Sequence, residues 1–370
     1  YGVPLADKGI QPVWIDVENS EEIAYWLLSP GIDHNFFPPS APADGFAGAN
    51  ARTNRKLSQR CSPLACRSPG ARGSSVAGFV LTNRDEGVKM VELDLVASGH
   101  QKTFSAFNFV PGFRADFHDR GIQHREFYTA DEITNYTDDT AFRAALEALP
   151  CCVTNKNGTK YGDPLNLVVV DIDNVAFAAL VRRGWHPTEA TYAGSVKKMI
   201  DSVLSGERYR YSPVSPLYLY GRPQDVALQK ARDSIHQRNH LRLWKSPMQY
   251  HGNTVWVGQI SRDIGTRLTI HSPYLTTHKI DPNVDEALLA LIEDVAYSQN
   301  LSKIGLVKGV GAASREEPRE NLTTDPYFTN GFRGVLIFDS TPVSLADIEF
   351  LPWEGREGSM TKESMKRNRQ

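Results

Sequence analysis

Residues 164–172 read PLNLVVVDI, a near-continuous apolar run of strand length. A strand with one wet face alternates apolar and polar side chains. A strand apolar at consecutive positions needs cover on both faces. This run therefore demands a sheet with a layer on each side. The segments around it supply the layers: helix-like stretches at 174–183, 190–205, 224–238 and 282–297. Strand-like stretches lie between them, RYRYS, PLYLYG, 240–244, 254–260 and 266–271, with two more near 304–310 and 333–339. Helices and strands mixed in this way give an α+β domain over 151–350. A helix at 137–149, capped by Thr137 or Asp138 and ended by Pro150, lies in a connector over 121–150.

The first 120 residues differ. QPVWIDVENSEEIAYWLLS (11–29) carries two β-rich runs around a polar turn, and VAGFVLTNRDEGVKMVELDLV (76–96) repeats that form. KTFSAFNFV adds another strand. Short strands between turn signals predict an antiparallel β-sandwich over 1–120. An insert over 45–75 interrupts it. From Gly45 to Asn83 no acidic residue occurs, while Arg52, Arg55, Lys56, Arg60, Arg67 and Arg72 are basic. Its Ser, Pro, Ala and Gly cannot bury enough apolar surface to offset the entropy of ordering, so a loop is expected. The charged stretch 351–370 reads as a disordered tail.

Composition excludes some functions. The net charge is −2 over 370 residues, so no nucleic-acid partner is expected. No run approaches the ~18 apolar residues of a membrane-spanning helix. The chain begins at Tyr1, which reads as an exported chain whose targeting segment was removed, with a piece of a longer protein as the alternative. The four cysteines, Cys61, Cys66, Cys151 and Cys152, form no CxxC pair and no zinc spacing. The adjacent pair is read as two small residues after a helix end, because disulfides between neighbours are rare.

A set of ordered motifs carries a family resemblance. DPLNLVVV, RRGWHPTEA, YRYSPVSPLYLYGRPQDVALQKAR, RNHLRLW, VWVGQISRDIG and THKIDPNVDEA resemble the LssY C-terminal domain family, densely over 163–297 and on through NLTTDPYFTNGFR. The family is bacterial, and in some members the domain is fused to a membrane phosphatase or a DedA-type membrane module. The resemblance thus implies a cell-envelope setting, periplasmic or envelope-associated, processed lipoproteins included, with a membrane-associated or envelope protein as the expected partner.

The residues that could carry chemistry cluster in the same half. On a helix from Pro223, Asp225, Gln229, Arg232 and His236 would form one polar stripe beside the apolar face. HLRLW alternates, putting Leu241 and Leu243 on one face and His240, Arg242 and Trp244 on the other. The strand after it ends in Ser261, Arg262 and Asp263. In THKIDPNVDEA, His278, Asp281 and Asp285 are metal-compatible ligand types, and with His240 or Asp263 they would resemble a hydrolytic metal centre. Asp281 also reads as a helix N-cap, with Pro282 as the first helical residue. His186 and Glu189 form a further polar pair, beside a Thr188 that could cap a helix.

Two functions stay open. The first is an envelope hydrolase acting on a phosphate ester or other anionic substrate. It would use His240, His278 and Asp263 catalytically, Arg222, Arg232, Arg242 and His236 for binding, and a divalent metal as candidate cofactor. The second is a non-catalytic envelope module that binds a protein, glycan or lipid.

Overall fold

The computed structural model describes residues 4–28, 32, 37–38, 73–85, 87–110, 127–172, 175–189, 213–231, 238–268 and 276–353. For strand residues 88, 107, 109, 231, 266–268 and 276–278 it describes the backbone alone. The chain divides into two compact units, Tyr1–Phe113 and Arg114–Gln370.

The first unit is antiparallel β. Strand β1 (Ile10–Asn19) pairs along its whole length with β3 (Ser74–Asn83), while β2 (Trp26–Leu27), β4 (Val88–Ala97) and β5 (His100–Phe109) make a second sheet. The two strands around the NRDEG turn thus enter different sheets rather than pairing as a hairpin. Ile15, Val80, Val91 and Leu95 from both sheets share one apolar cluster with Tyr25 and Leu27. Most of the basic insert, residues 45–72, lies outside the described residues, and Ser74 and Ser75 already belong to β3.

The second unit is built on a ten-stranded sheet. In chain order its elements are β6 (Thr134–Tyr136), α1 (Asp139–Glu147), β7 (Cys152–Thr154), β8 (Tyr161–Pro164), β9 (Leu167–Asp171), α2 (Val175–Arg182), β10 (His186–Pro187), β11 (Tyr218–Leu219) and β12 (Arg222–Pro223). There follow β13 (Val226–Ala231), β14 (Arg238–Tyr250), β15 (Asn253–Leu268), β16 (Thr276–Ile280), α3 (Val284–Ala296) and β17 (Leu301–Lys308). A small hairpin, β18 (Arg319–Glu320) with β19 (Pro326–Tyr327), precedes β20 (Phe332–Phe338) and β21 (Glu349–Phe350). The main sheet runs β10-β13-β14-β15-β9-β20-β17-β21, with β6 beside β14 and β16 beside β15.

Strand β9 behaves as its composition demands. All five of its residues are buried. Leu167 and Val169 enter the core made with α2 and α3, whereas Val168 and Val170 enter the core made with Phe142 and Leu146 of α1. Asp138 caps α1 by accepting from Ala141 N–H, as the sequence suggested. Because α1 packs in that core and β6 pairs with β14, both belong to the second unit and do not merely link the two. At the other end, Leu351 and Trp353 are buried in the same core, so the ordered chain runs beyond 350, and residues 354–370 lie outside the described ones.

Three sequence readings are corrected. The predicted helix at 224–238 is the strand β13 as far as Ala231. Its Val226 and Leu228 alternate into the α2–α3 core, and it is hydrogen-bonded on both sides, to β10 and β14. The spacing of Ala227, Leu228 and Ala231 suits a helix, but pairing on two edges satisfies the backbone equally well and buries more of the chain. Next, Asp281 is not the cap of α3; Asn283 holds that position. The Asp281 carboxylate is taken by Arg262 and by the Asn283 N–H. Finally, Cys151 and Cys152 are joined by a disulfide. They are consecutive residues in the turn from α1 into β7, where Arg333 donates to the Pro150 carbonyl and the Leu165 N–H to the Cys151 carbonyl.

Candidate functional site

Strands β14 and β15 form a long antiparallel hairpin whose register sets Arg238 against Asp263, His240 against Ser261 and Arg242 against Gln259. Alternation puts all six side chains on one face of the sheet. Strand β13 adds Gln229, opposite His240, and β10 adds His186, opposite Gln229. A polar row, His186–Gln229–His240–Ser261, thus crosses four strands of the sheet. Arg238, His240, Arg242, Gln259, Ser261 and Asp263 are all buried.

The geometry is specific. His240 Nε2 lies 2.6 Å from Asp263 Oδ2, and Arg238 Nε donates to the same oxygen at 3.2 Å. Arg238 Nη1 donates to Gln229 Oε1 at 2.9 Å. A carboxylate can only accept, so it fixes the imidazole proton on Nε2 and makes Nδ1 the lone-pair nitrogen of the ring. Burial pulls the His240 pKa down to about 4, against the pull of Asp263 and with help from Arg238 and Arg242. The ring is therefore neutral at neutral pH. Burial also lowers Arg238, an effect opposed by Asp263.

One step along the hairpin, Arg242 Nη1 donates to Gln259 Oε1 at 3.0 Å and Nη2 to the Ser215 carbonyl at 3.3 Å. Asp163, on β8, is fully enclosed; burial pushes its carboxyl up, and the positive charge of Arg242 acts the other way. Asn321 donates to it at 3.4 Å. Asp163 and Asn321 stand in the DPLNLVVV and NLTTDPYF motifs, which is the only signal the sequence gave of them.

The structure brings His240, Asp263 and Arg242 together. It does not bring Arg222 to them. Arg222 donates to both oxygens of Asp225, each at 2.9 Å, and to Tyr128 and the Lys245 carbonyl, a closed structural set. Arg232 and His236 lie outside the described residues, and with them the end of the proposed stripe; Asp225, just before β13, and Gln229, on it, serve separate partners. The backbone of His278 is on β16 opposite Thr266, beyond the Asp263–Ile280 pair, and its side chain is outside the description. Asp285 accepts from Thr329 Oγ1 and Asn330 N–H, which ties α3 to the loop before β20. Arg238 and Gln259 were missed, the first because the helix was extended to 238 and the second because a lone amide within an apolar strand carries no motif.

Among the described residues no group of three or more His, Cys, Asp or Glu side chains is placed to hold a metal ion. Asp263 Oδ2, the carboxylate oxygen beside His240, also carries the Arg238 guanidinium, so the pair as it stands makes a poor metal ligand set. No described helix is long and apolar enough to cross a membrane.

No curated protein and no solved structure matches the chain. The family described as LssY C-terminus matches residues 143–332, a span that begins within α1, ends at the start of β20 and includes the whole polar row. The second unit's sheet, its two cores and the buried histidine–aspartate pair are thus features of a chain that belongs to the LssY C-terminus family.

Proposed function

We propose that this chain is an exported cell-envelope protein whose second unit is a hydrolase-like domain acting on a phosphate ester or other anionic substrate. The observation that carries this reading is the buried His240–Asp263 pair with Arg242 on the same sheet face. Burying charge in a sheet interior costs stability that apolar side chains would not, so a fold gains nothing from it for stability alone. The envelope setting follows the family resemblance.

In this reading Asp263 orients the imidazole and His240 Nδ1 takes a proton from the attacking water. Arg242 meets the negative charge of the substrate. An imidazole at pKa about 4 is a weak base. An anion arriving beside it would offset the two guanidinium charges and raise that value toward the working range.

The test is hydrolysis of nitrophenyl phosphate mono- and diesters by the full chain. Turnover is expected in the wild type, with losses of about 10²–10⁴ in His240→Gln and Asp263→Asn, in variants whose circular dichroism is unchanged. Wild-type turnover that survives His240→Gln overturns the assignment.

A second reading, a non-catalytic module binding an envelope partner, is favoured by the first unit. There Trp14, Trp26 and Phe104 are exposed at 57%, 67% and 55%, aromatic side chains that a partner could cover. Absence of any hydrolysis, with crosslinking to envelope fractions lost on substituting these aromatics, would select it.

A further inference from the structure

We infer that Gln259 is an oxyanion-binding residue, its amide N–H groups and the Arg242 guanidinium together receiving the oxygens of a phosphate group. The inference deepens the proposed function and rests on it for the choice of ligand.

Gln259 is wholly buried, mid-strand, on the face it shares with Val255 and Val257. A guanidinium only donates, so the atom 3.0 Å from Arg242 Nη1 must be the amide oxygen. That contact fixes the amide plane, and with it the position of Nε2 and its two N–H donors beside the guanidinium. Nε2 is buried and has no hydrogen-bond partner among the described residues. Asn166, just before β9, is engaged with the backbone of Ile260, accepting from its N–H and donating to its carbonyl.

Buried amide donors are nearly always satisfied, because an unmet one loses its hydration with nothing in return. A leucine or valine would fit this strand face at less cost. An oriented donor pair beside a guanidinium has the chemistry of an oxyanion receiver: the cation meets the charge and the amide meets a non-bridging oxygen.

The test is titration of inorganic phosphate into the full chain, followed by calorimetry and by the phosphate-dependent rise in unfolding temperature. Phosphate binding is expected in the wild type. Gln259→Leu, which removes the donors and nearly keeps the volume, should weaken it at least tenfold; because it also removes the acceptor of Arg242 Nη1, its phosphate-free unfolding temperature falls, and the phosphate-dependent rise above that baseline is the quantity compared. Gln259→Glu, which sets a carboxylate against Arg242, should abolish binding and provides the comparison if the leucine variant does not fold.

A wild type that does not bind phosphate, or a leucine variant that binds it equally well, overturns the inference. The two proposals fail separately. Gln259-dependent phosphate binding without ester hydrolysis removes the hydrolase and leaves this site standing. Hydrolysis whose KM is unmoved by Gln259→Leu does the reverse.

Discussion

Over His240–Leu243 and Gln259–Ser261 the two faces of the β14–β15 hairpin are both buried and differ in chemistry. On one, Leu241, Leu243 and Ile260 meet α2 and α3 in an apolar core. On the other, from the same residues' immediate neighbours, Arg238, His240, Arg242, Gln259 and Asp263 face the interior. Strict alternation produces both, so one stretch of chain lines an apolar core on one side and a buried polar row on the other. The difference lies in how each face tolerates loss. An apolar contact removed leaves a cavity, and the surroundings relax. A charge removed leaves its partner buried and unanswered.

The largest expected effect tests that contrast directly. Asp263→Ala withdraws the carboxylate that Arg238 and His240 share, and should cost ~3–5 kcal/mol by urea unfolding at neutral pH. Asp263→Leu combined with Arg238→Met should recover much of it, since no ion is then left alone. Leu241→Ala on the opposite face should cost ~2–5 kcal/mol, with no second substitution of comparable benefit. If Asp263→Ala costs less than the leucine change and the double variant recovers nothing, the polar face is not an ion network.

Next in size is a pH effect confined to one face. Burial holds His240 at about 4, below its ordinary 6.5, so the folded protein refuses a proton that the unfolded chain accepts. Above pH 6.5 the ring is neutral in both states and contributes nothing. As the pH falls from there to about 4 the unfolded state gains protons first, and stability is lost by on the order of 3 kcal/mol. His240→Gln lacks this loss, so its stability relative to wild type should stay level from pH 7.5 to about 6.5 and improve from there down to pH 4.5. A difference that stays constant across that range contradicts a buried neutral imidazole.

The apolar face was the legible one. PLNLVVVDI announced a strand covered twice, and HLRLW announced its own two faces. The polar face was half legible. Alternation correctly put His240 with Arg242, but strand register, which decides that Asp263 meets Arg238 and His240, is a long-range property that local pattern does not contain. The 224–231 segment failed for a related reason. Its small and apolar residues fit a period of 3.6 and a period of 2 alike, and only the partners on both edges decide. Asp163 and Asn321 come from positions 158 residues apart and could not have been joined by any spacing rule.

The smallest expected effect sharpens the comparison at the seam between the faces. Gly258 precedes Gln259 and points to the apolar side, where an added Cβ would lie 2.8 Å from Leu243 Cδ2, 3.1 Å from the Arg242 carbonyl and 3.3 Å from Leu167 Cδ2. The two leucine tips can swing aside, but the carbonyl belongs to the paired backbone of β14 and cannot. Gly258→Ala should therefore destabilise by ~1–3 kcal/mol, the cost of modest overpacking. Because the intrusion is on the apolar face, the pH-dependent loss tied to His240 should keep its size and its window in this variant. Unfolding of Gly258→Ala and of Gly258→Ala with His240→Gln at pH 7.5 and 4.5 measures this. If the alanine also flattens the pH dependence, the Arg242 carbonyl has moved far enough to disturb the charged side, and the two faces are coupled through the backbone they share.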